Sequence, residues 1–138
     1  MDSLFGTYRL MFGPGGYQWS YSLEDLAANY RLYRRLMSRW RDTLGDAFVE
    51  VTLEHLIENP EAEIALLLRR CGLPFEAACL APEAVGGGVS TASASQVRTP
   101  INRQGVGVWR RYARQLEPLR AALERDGFVD REGEAVWH

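Results

Sequence analysis

Thirteen consecutive positions, 89–101 (VSTASASQVRTPI), concentrate hydrogen-bonding side chains without a single acid: Ser90, Thr91, Ser93, Ser95, Gln96, Arg98 and Thr99. Hydroxyls, an amide and a guanidinium can together donate many bonds to phosphate or sulfate oxygens, and no carboxylate is present to repel such a ligand. The next stretch, 102–112 (NRQGVGVWRRY), places Gly105 and Gly107 ahead of an apolar and cationic run. Glycines before a helix let backbone N–H groups approach an anion. On spacing alone, a connecting loop explains this second stretch as well as an anion site does. His55 beside Glu54 is a further acid–base pair, but on a strand-to-helix turn it reads as structural. Two cysteines, Cys71 and Cys79, and two histidines are too few for a structural zinc site, so no metal is expected.

The charge distribution sharpens the anion reading. The net charge is −2, yet all 16 basic residues are arginine, so chemistry that needs a lysine nucleophile or a Walker-type lysine is excluded. No acid occurs from Ala84 to Leu116, where Arg98, Arg103, Arg110, Arg111 and Arg114 lie, nor from Leu26 to Arg41, where Arg31, Arg34, Arg35, Arg39 and Arg41 lie. Local cationic stretches in an acidic chain point to a particular anionic ligand. They do not favour general nucleic-acid affinity, and no nucleic-acid partner is expected.

These residues need positioning elements. At 138 residues, 46% hydrophobic and 25% charged, the chain has the makeup of one globular domain. Apolar runs are too short to span a bilayer, and no basic segment followed by an apolar core opens the chain. With the cysteines read as reduced thiols, the expected location is cytoplasmic, without membrane association.

A short helix is predicted over 2–12, broken at Gly13-Pro14, with an aromatic loop at 17–21. The strongest helix spans 23–44: Ser22 suits its N-cap, Glu24 and Asp25 suit its positive end, and Gly45 stops it. Leu26, Tyr30, Tyr33, Met37, Trp40 and Leu44 build its apolar stripe, read as core. Residues 48–53 (FVEVTL) make the one convincing strand. Asn59-Pro60 opens another helix, with Ile64, Leu67, Leu68 and Cys71 as its inner face and Gly72 and Pro74 as its stop. A helix carrying Val108, Trp109 and Tyr112 precedes a last one with Leu116, Leu119 and Leu123. An acidic, loosely ordered tail is expected over 128–138, leaving 1–127 as the domain. A lone strand cannot satisfy its own backbone groups, so its sheet neighbours must come from elsewhere.

Several stretches, taken together, resemble a known family. Thr91-Ala92-Ser93-Ala94-Ser95-Gln96-Val97-Arg98, Pro100-Ile101 and Trp109-Arg110-Arg111-Tyr112 resemble the C-terminal half of bacterial sulfotransferases that use 3′-phosphoadenosine 5′-phosphosulfate, with tyrosylprotein sulfotransferases as more distant relatives. So do residues 21–26, 30–37 with Trp40, Val51 with Glu54, Leu56 and Pro60, and Cys71-Gly72-Leu73-Pro74-Phe75 with Cys79-Leu80. The resemblance implies an α/β, P-loop-like fold around a parallel sheet, of which this chain would be a mostly helical C-terminal half with one strand.

It also implies roles. Ser93 would lie near the transferring sulfuryl group as the catalytic candidate, although it reads as a loop cap too. Thr91, Gln96, Arg98, Gly107, Trp109 and Arg110 would lie on the cofactor side, where Trp109 reads first as a core anchor and Arg110 is the better contact candidate, readable also as part of a solvated helix face. The family's glycine-rich 5′-phosphosulfate loop and its upstream base have no counterpart in this sequence. Leu53, Gly6, Gly88, Val108, Pro82 and Glu83 replace residues that relatives use on the cofactor side. The resemblance therefore implies transfer of a sulfuryl group to a hydroxyl or amine of a small-molecule, carbohydrate or peptide acceptor, with this chain incompetent alone. An N-terminal sulfotransferase half or a second copy would complete it. The competing expectation is a non-catalytic helical interaction module.

Overall fold

The computed structural model describes residues 1–12, 15–81, 84 and 100–136. The chain divides into two compact units, Met1–Thr43 with Gly105–His138, and Leu44–Gln104, where one domain over 1–127 was expected.

In the first unit, α1 (Asp2–Arg9) begins with the Phe5 N–H donating to the Met1 carbonyl at 3.0 Å. It stops three residues earlier than its apolar spacing suggests. Leu10 is extended, and the Tyr21 hydroxyl takes over the Phe12 backbone, accepting from its N–H at 2.8 Å and donating to its carbonyl at 3.2 Å. That replaces the helical bonds another turn would have made. Residues 18–21, expected as a loop, form a 3-10 turn (Gln18–Tyr21).

The long helix α2 spans Leu23–Leu44, and its N-cap is as read: the Ser22 Oγ accepts from the Asp25 N–H at 3.2 Å. Only its first turns enter the core. Leu26 and Ala27 are buried with Leu119, Leu123 and Val129, while Tyr33, Trp40 and Leu44, expected in the core, are exposed. A periodic stripe names a helix face, but burial also needs an opposing surface. Helix α5 (Glu117–Arg125) supplies that surface for the N-terminal turns through Leu119 and Leu123. A second cluster joins Phe5 of α1 to Trp109 and Leu116.

Residues 128–136 are folded back, unlike the loose tail expected of them. Val129 is 5% exposed and bridges Ala135 in antiparallel fashion. The Asp130 N–H donates to the Glu134 carbonyl at 2.9 Å, and the Asp130 carboxylate accepts from the Glu134 N–H at 2.8 Å. Burying Val129 and closing this turn outweighs the local excess of acids.

In the second unit, the expected strand over 48–53 is absent. Residues 48–52 are irregular, and Leu53 opens helix α3 (Leu53–Glu58). A strand is stable only when a neighbour pairs its backbone, and the described residues offer none. The parallel sheet implied by the resemblance has no counterpart among them. Helix α4 (Pro60–Arg70) packs beside α3 and has Pro60 at its start as predicted, though the Asn59 side chain makes no cap bond. Its end is a left-handed Gly72 (φ +69°) with the Leu73 N–H reaching back to the Leu68 carbonyl at 2.8 Å. Ile64, Leu67 and Leu68 are half-buried, whereas Cys71, assigned to the same inner face, is exposed.

Candidate functional site

Of the seven candidate residues, Thr91, Ser93, Gln96 and Arg98 lie outside the described residues, as do Pro82, Glu83 and Gly88. Gly107, Trp109 and Arg110 lie together in the first unit. Gly107 is left-handed (φ +74°), a conformation glycine adopts without steric cost, and it starts a five-residue 3-10 turn, Val108–Tyr112, where a regular helix was expected.

This glycine turn does hold an anion, and the anion belongs to the protein. The Gly107 N–H donates to one carboxylate oxygen of Asp2 at 2.7 Å, and the Trp109 N–H donates to the other at 3.2 Å. Asp2 sits in the first turn of α1, where the positive end of the helix dipole also favours its charge. One side chain thereby ties the chain's start to a turn 105 residues away.

Trp109 is 5% exposed and packed with Phe5 and Leu116, which makes it a core anchor. The Arg110 guanidinium lies 5.0 Å from the Trp109 ring centroid, is ion-paired with Glu134, and donates to the Glu132 carbonyl at 3.4 Å. Both acids belong to the folded-back 128–136 segment. Gly133 lets that segment come close: a Cβ added there would sit 2.5 Å from a ring carbon of Trp109. Both N–H groups are taken by Asp2, while the Arg110 side chain, 49% exposed, keeps part of its guanidinium open to solvent.

Sequence reasoning missed Asp2 and Glu134. A helix's first-turn acid and a terminal acid carry no local sign that they will close on a glycine turn so far away in the chain. The cationic run of α2 is likewise part-used internally. Arg31 pairs with Asp126, and Arg34 donates to the Val136 carbonyl at 3.1 Å while lying 4.9 Å from the Phe128 ring centroid. Arg35 and Arg39 are exposed and make no ion pair among the described residues. In the second unit, Arg103 pairs with Glu58 at 3.3 Å. His55 and Glu54 lie exposed on α3. Among the described residues, no group of three or more His, Cys, Asp or Glu could hold a metal, and no helix is long and apolar enough to cross a membrane.

A further ion-pair network is structural. Arg120 on α5 binds Glu117 and Glu124, each at 2.8 Å, and donates to the Arg131 carbonyl at 2.9 Å. Its hydrogen bond holds the Glu117 carboxyl below the usual value of 4.5, and the two acids raise the Arg120 pKa further.

Comparison with known proteins adds a lineage to this geometry. A family model described as the sulfotransferase family matches residues 1–77, which includes α1, α2, α3 and α4 and ends before the 91–98 and 107–110 candidates. An uncharacterized protein of Aquifex aeolicus (strain VF5) is 36% identical over 130 residues, covering 93% of this chain. The chain spans 17% of that relative's length. No solved structure matches the chain.

Proposed function

This chain belongs to the sulfotransferase family, and from that premise we propose that it serves transfer of a sulfuryl group from 3′-phosphoadenosine 5′-phosphosulfate to a hydroxyl or amine acceptor. The observation that carries the reading is the family match over residues 1–77. The acid-free hydroxyl and guanidinium content of 89–101 supports it chemically.

In the Gly107–Trp109–Arg110 turn, Asp2 takes the two N–H groups and Glu134 pairs with Arg110. In this reading the donor is instead recognised by Thr91, Ser93, Gln96 and Arg98, while residues 107–110 anchor the fold. The family's phosphosulfate loop, which this sequence lacks, comes from another polypeptide segment, either an N-terminal sulfotransferase half or a second copy. The chain by itself binds nucleotide without turning over. The acceptor is a small molecule, a carbohydrate or a peptide.

Isothermal titration of the full chain with adenosine 3′,5′-bisphosphate tests this. The expected result is a saturable heat. Arg98→Ala should weaken it about tenfold, the scale of one charge-assisted hydrogen bond, and Arg110→Ala should leave it within about twofold. No saturable heat from folded protein at millimolar nucleotide would overturn the reading. So would a loss confined to Arg110→Ala.

A further inference from the structure

The outer face of α2 carries apolar side chains that neither the core nor the proposed reaction uses. Leu32, Tyr33 and Leu36 are 61%, 43% and 45% exposed. Leu32 and Leu36 lie one turn apart and Tyr33 beside them, so they form one ridge. From Leu32 to Leu36 the ridge runs about 6 Å along the helix. Arg35 and Arg39 border it. Their neighbours Arg31 and Arg34 are both engaged by the 126–136 region, whereas Arg35 and Arg39 have no ion-pair partner among the described residues. Asp42, one turn on from Arg39, makes no ion pair with it.

We propose that this face, with Leu32, Tyr33 and Leu36 at its centre and Arg35 and Arg39 on its border, docks an acidic amphipathic helix of a partner polypeptide. The charge pattern selects the occupant. A helix laid along the ridge would insert its apolar residues beside Leu32 and Leu36 and present flanking carboxylates to the two uncompensated guanidiniums, as charged positions do beside a coiled-coil seam. A second copy of the same face would bring arginine against arginine, which opposes pairing. An anionic lipid surface would satisfy the arginines, but Glu24, Asp25 and Asp42 at the two ends of α2 would then face lipid phosphates. The proposal is independent of the sulfuryl-transfer reading.

The test uses the full chain and a fluorescent designed peptide of about 14 residues, with leucines at alternating three- and four-residue spacing and glutamates beside them. Anisotropy should show saturable binding that weakens as salt rises. The double variant Arg35→Glu with Arg39→Glu should lose about tenfold in affinity, and Leu36→Glu a similar amount. A peptide with lysines in place of the glutamates should bind the double variant better than it binds the wild type. That charge-swap recovery also shows that the variant is folded. Equal binding of the acidic peptide to wild type and double variant would overturn the proposal, as would failure of the swapped peptide to recover binding. Two further results count against it: tighter, Arg35- and Arg39-dependent binding to phosphatidylglycerol vesicles than to the peptide, and a light-scattering dimer abolished by Leu36→Glu.

Discussion

Among the described residues, every fully buried side chain belongs to the first unit, and the second has none. The two are not distinguished by apolar patterning. Helix α4 carries Ile64, Leu67 and Leu68 at helical spacing, much as Leu116 at the N-cap of α5 is followed by Leu119 and Leu123 on it. They differ in what lies opposite. In the first unit, segments from both ends of the chain converge: α1, the start of α2, the 107–112 turn, α5 and the folded-back hairpin. Among its described residues the second unit has two short α-helices, and Leu53, Leu66, Leu73 and Phe75 are 57%, 39%, 56% and 44% exposed. Hydrophobic stabilisation scales with the area removed from water, so among the described residues the first unit carries most of it.

Truncating matched leucines breaks or sharpens that contrast most strongly. Leu119 is 0% exposed, and Leu119→Ala should cost about 2–5 kcal/mol, the range for a fully buried leucine. Leu67→Ala, at a half-buried site on α4, should cost no more than about 1 kcal/mol. Urea midpoints read by circular dichroism measure both, and equal losses would end the distinction. The same asymmetry predicts amide exchange: α4 should exchange well before α5 in native-state mass spectrometry.

Two glycines carry the comparison to backbone and packing. Gly133 and Gly72 both have positive φ, +80° and +69°. A Cβ at Gly133 meets Trp109 at 2.5 Å, whereas one at Gly72 meets nothing within 4 Å. Gly72→Ala should therefore cost about 1 kcal/mol of left-handed strain. Gly133→Ala should add about 1–3 kcal/mol of overpacking and should also shift the fluorescence of the tryptophan environment. Asp2→Ala should follow at about 1–3 kcal/mol, because it leaves two N–H groups at Gly107 and Trp109 without their carboxylate. Thermal melts of the three variants rank them, and a Gly72→Ala loss as large as that of Gly133→Ala would remove the packing argument.

The sequence made local signals legible and contacts between distant segments illegible. The bounds of α2 follow from Ser22, the acids after it and Gly45, all within a few residues of the ends they set. Pro60 and Gly72 mark α4 in the same way. The strand reading of 48–53 rested on composition alone, and β-forming residues make a strand only where another backbone pairs with them. At the candidate site, the glycine turn's capacity for an anion was readable in Gly105 and Gly107. Its occupant was not, because Asp2 and Glu134 reach it only through the packing of α1 and the hairpin. Trp109 was legible as a core anchor because burying a ring of that size in a small domain needs no ligand to explain it.

The smallest expected effect is electrostatic and again belongs to the first unit. The hydrogen bond from Arg120 holds the Glu117 carboxyl below its usual value of 4.5 in the folded chain. A carboxyl whose folded value lies below its unfolded one contributes stability above the unfolded value, and that contribution fades as pH falls through the folded value. Stability should therefore be level in this respect above about pH 4.5 and decline below it. Arg120 adds no change in that window, since its shift is upward and it stays charged throughout. Because Glu117 is exposed, the slope should be shallow and should flatten further in high salt. Glu117→Gln should remove it while leaving the neutral-pH stability almost unchanged. Melting temperatures of wild type and variant between pH 3 and 7 measure the difference. An acid-side slope identical in both would overturn the assignment of the decline to Glu117.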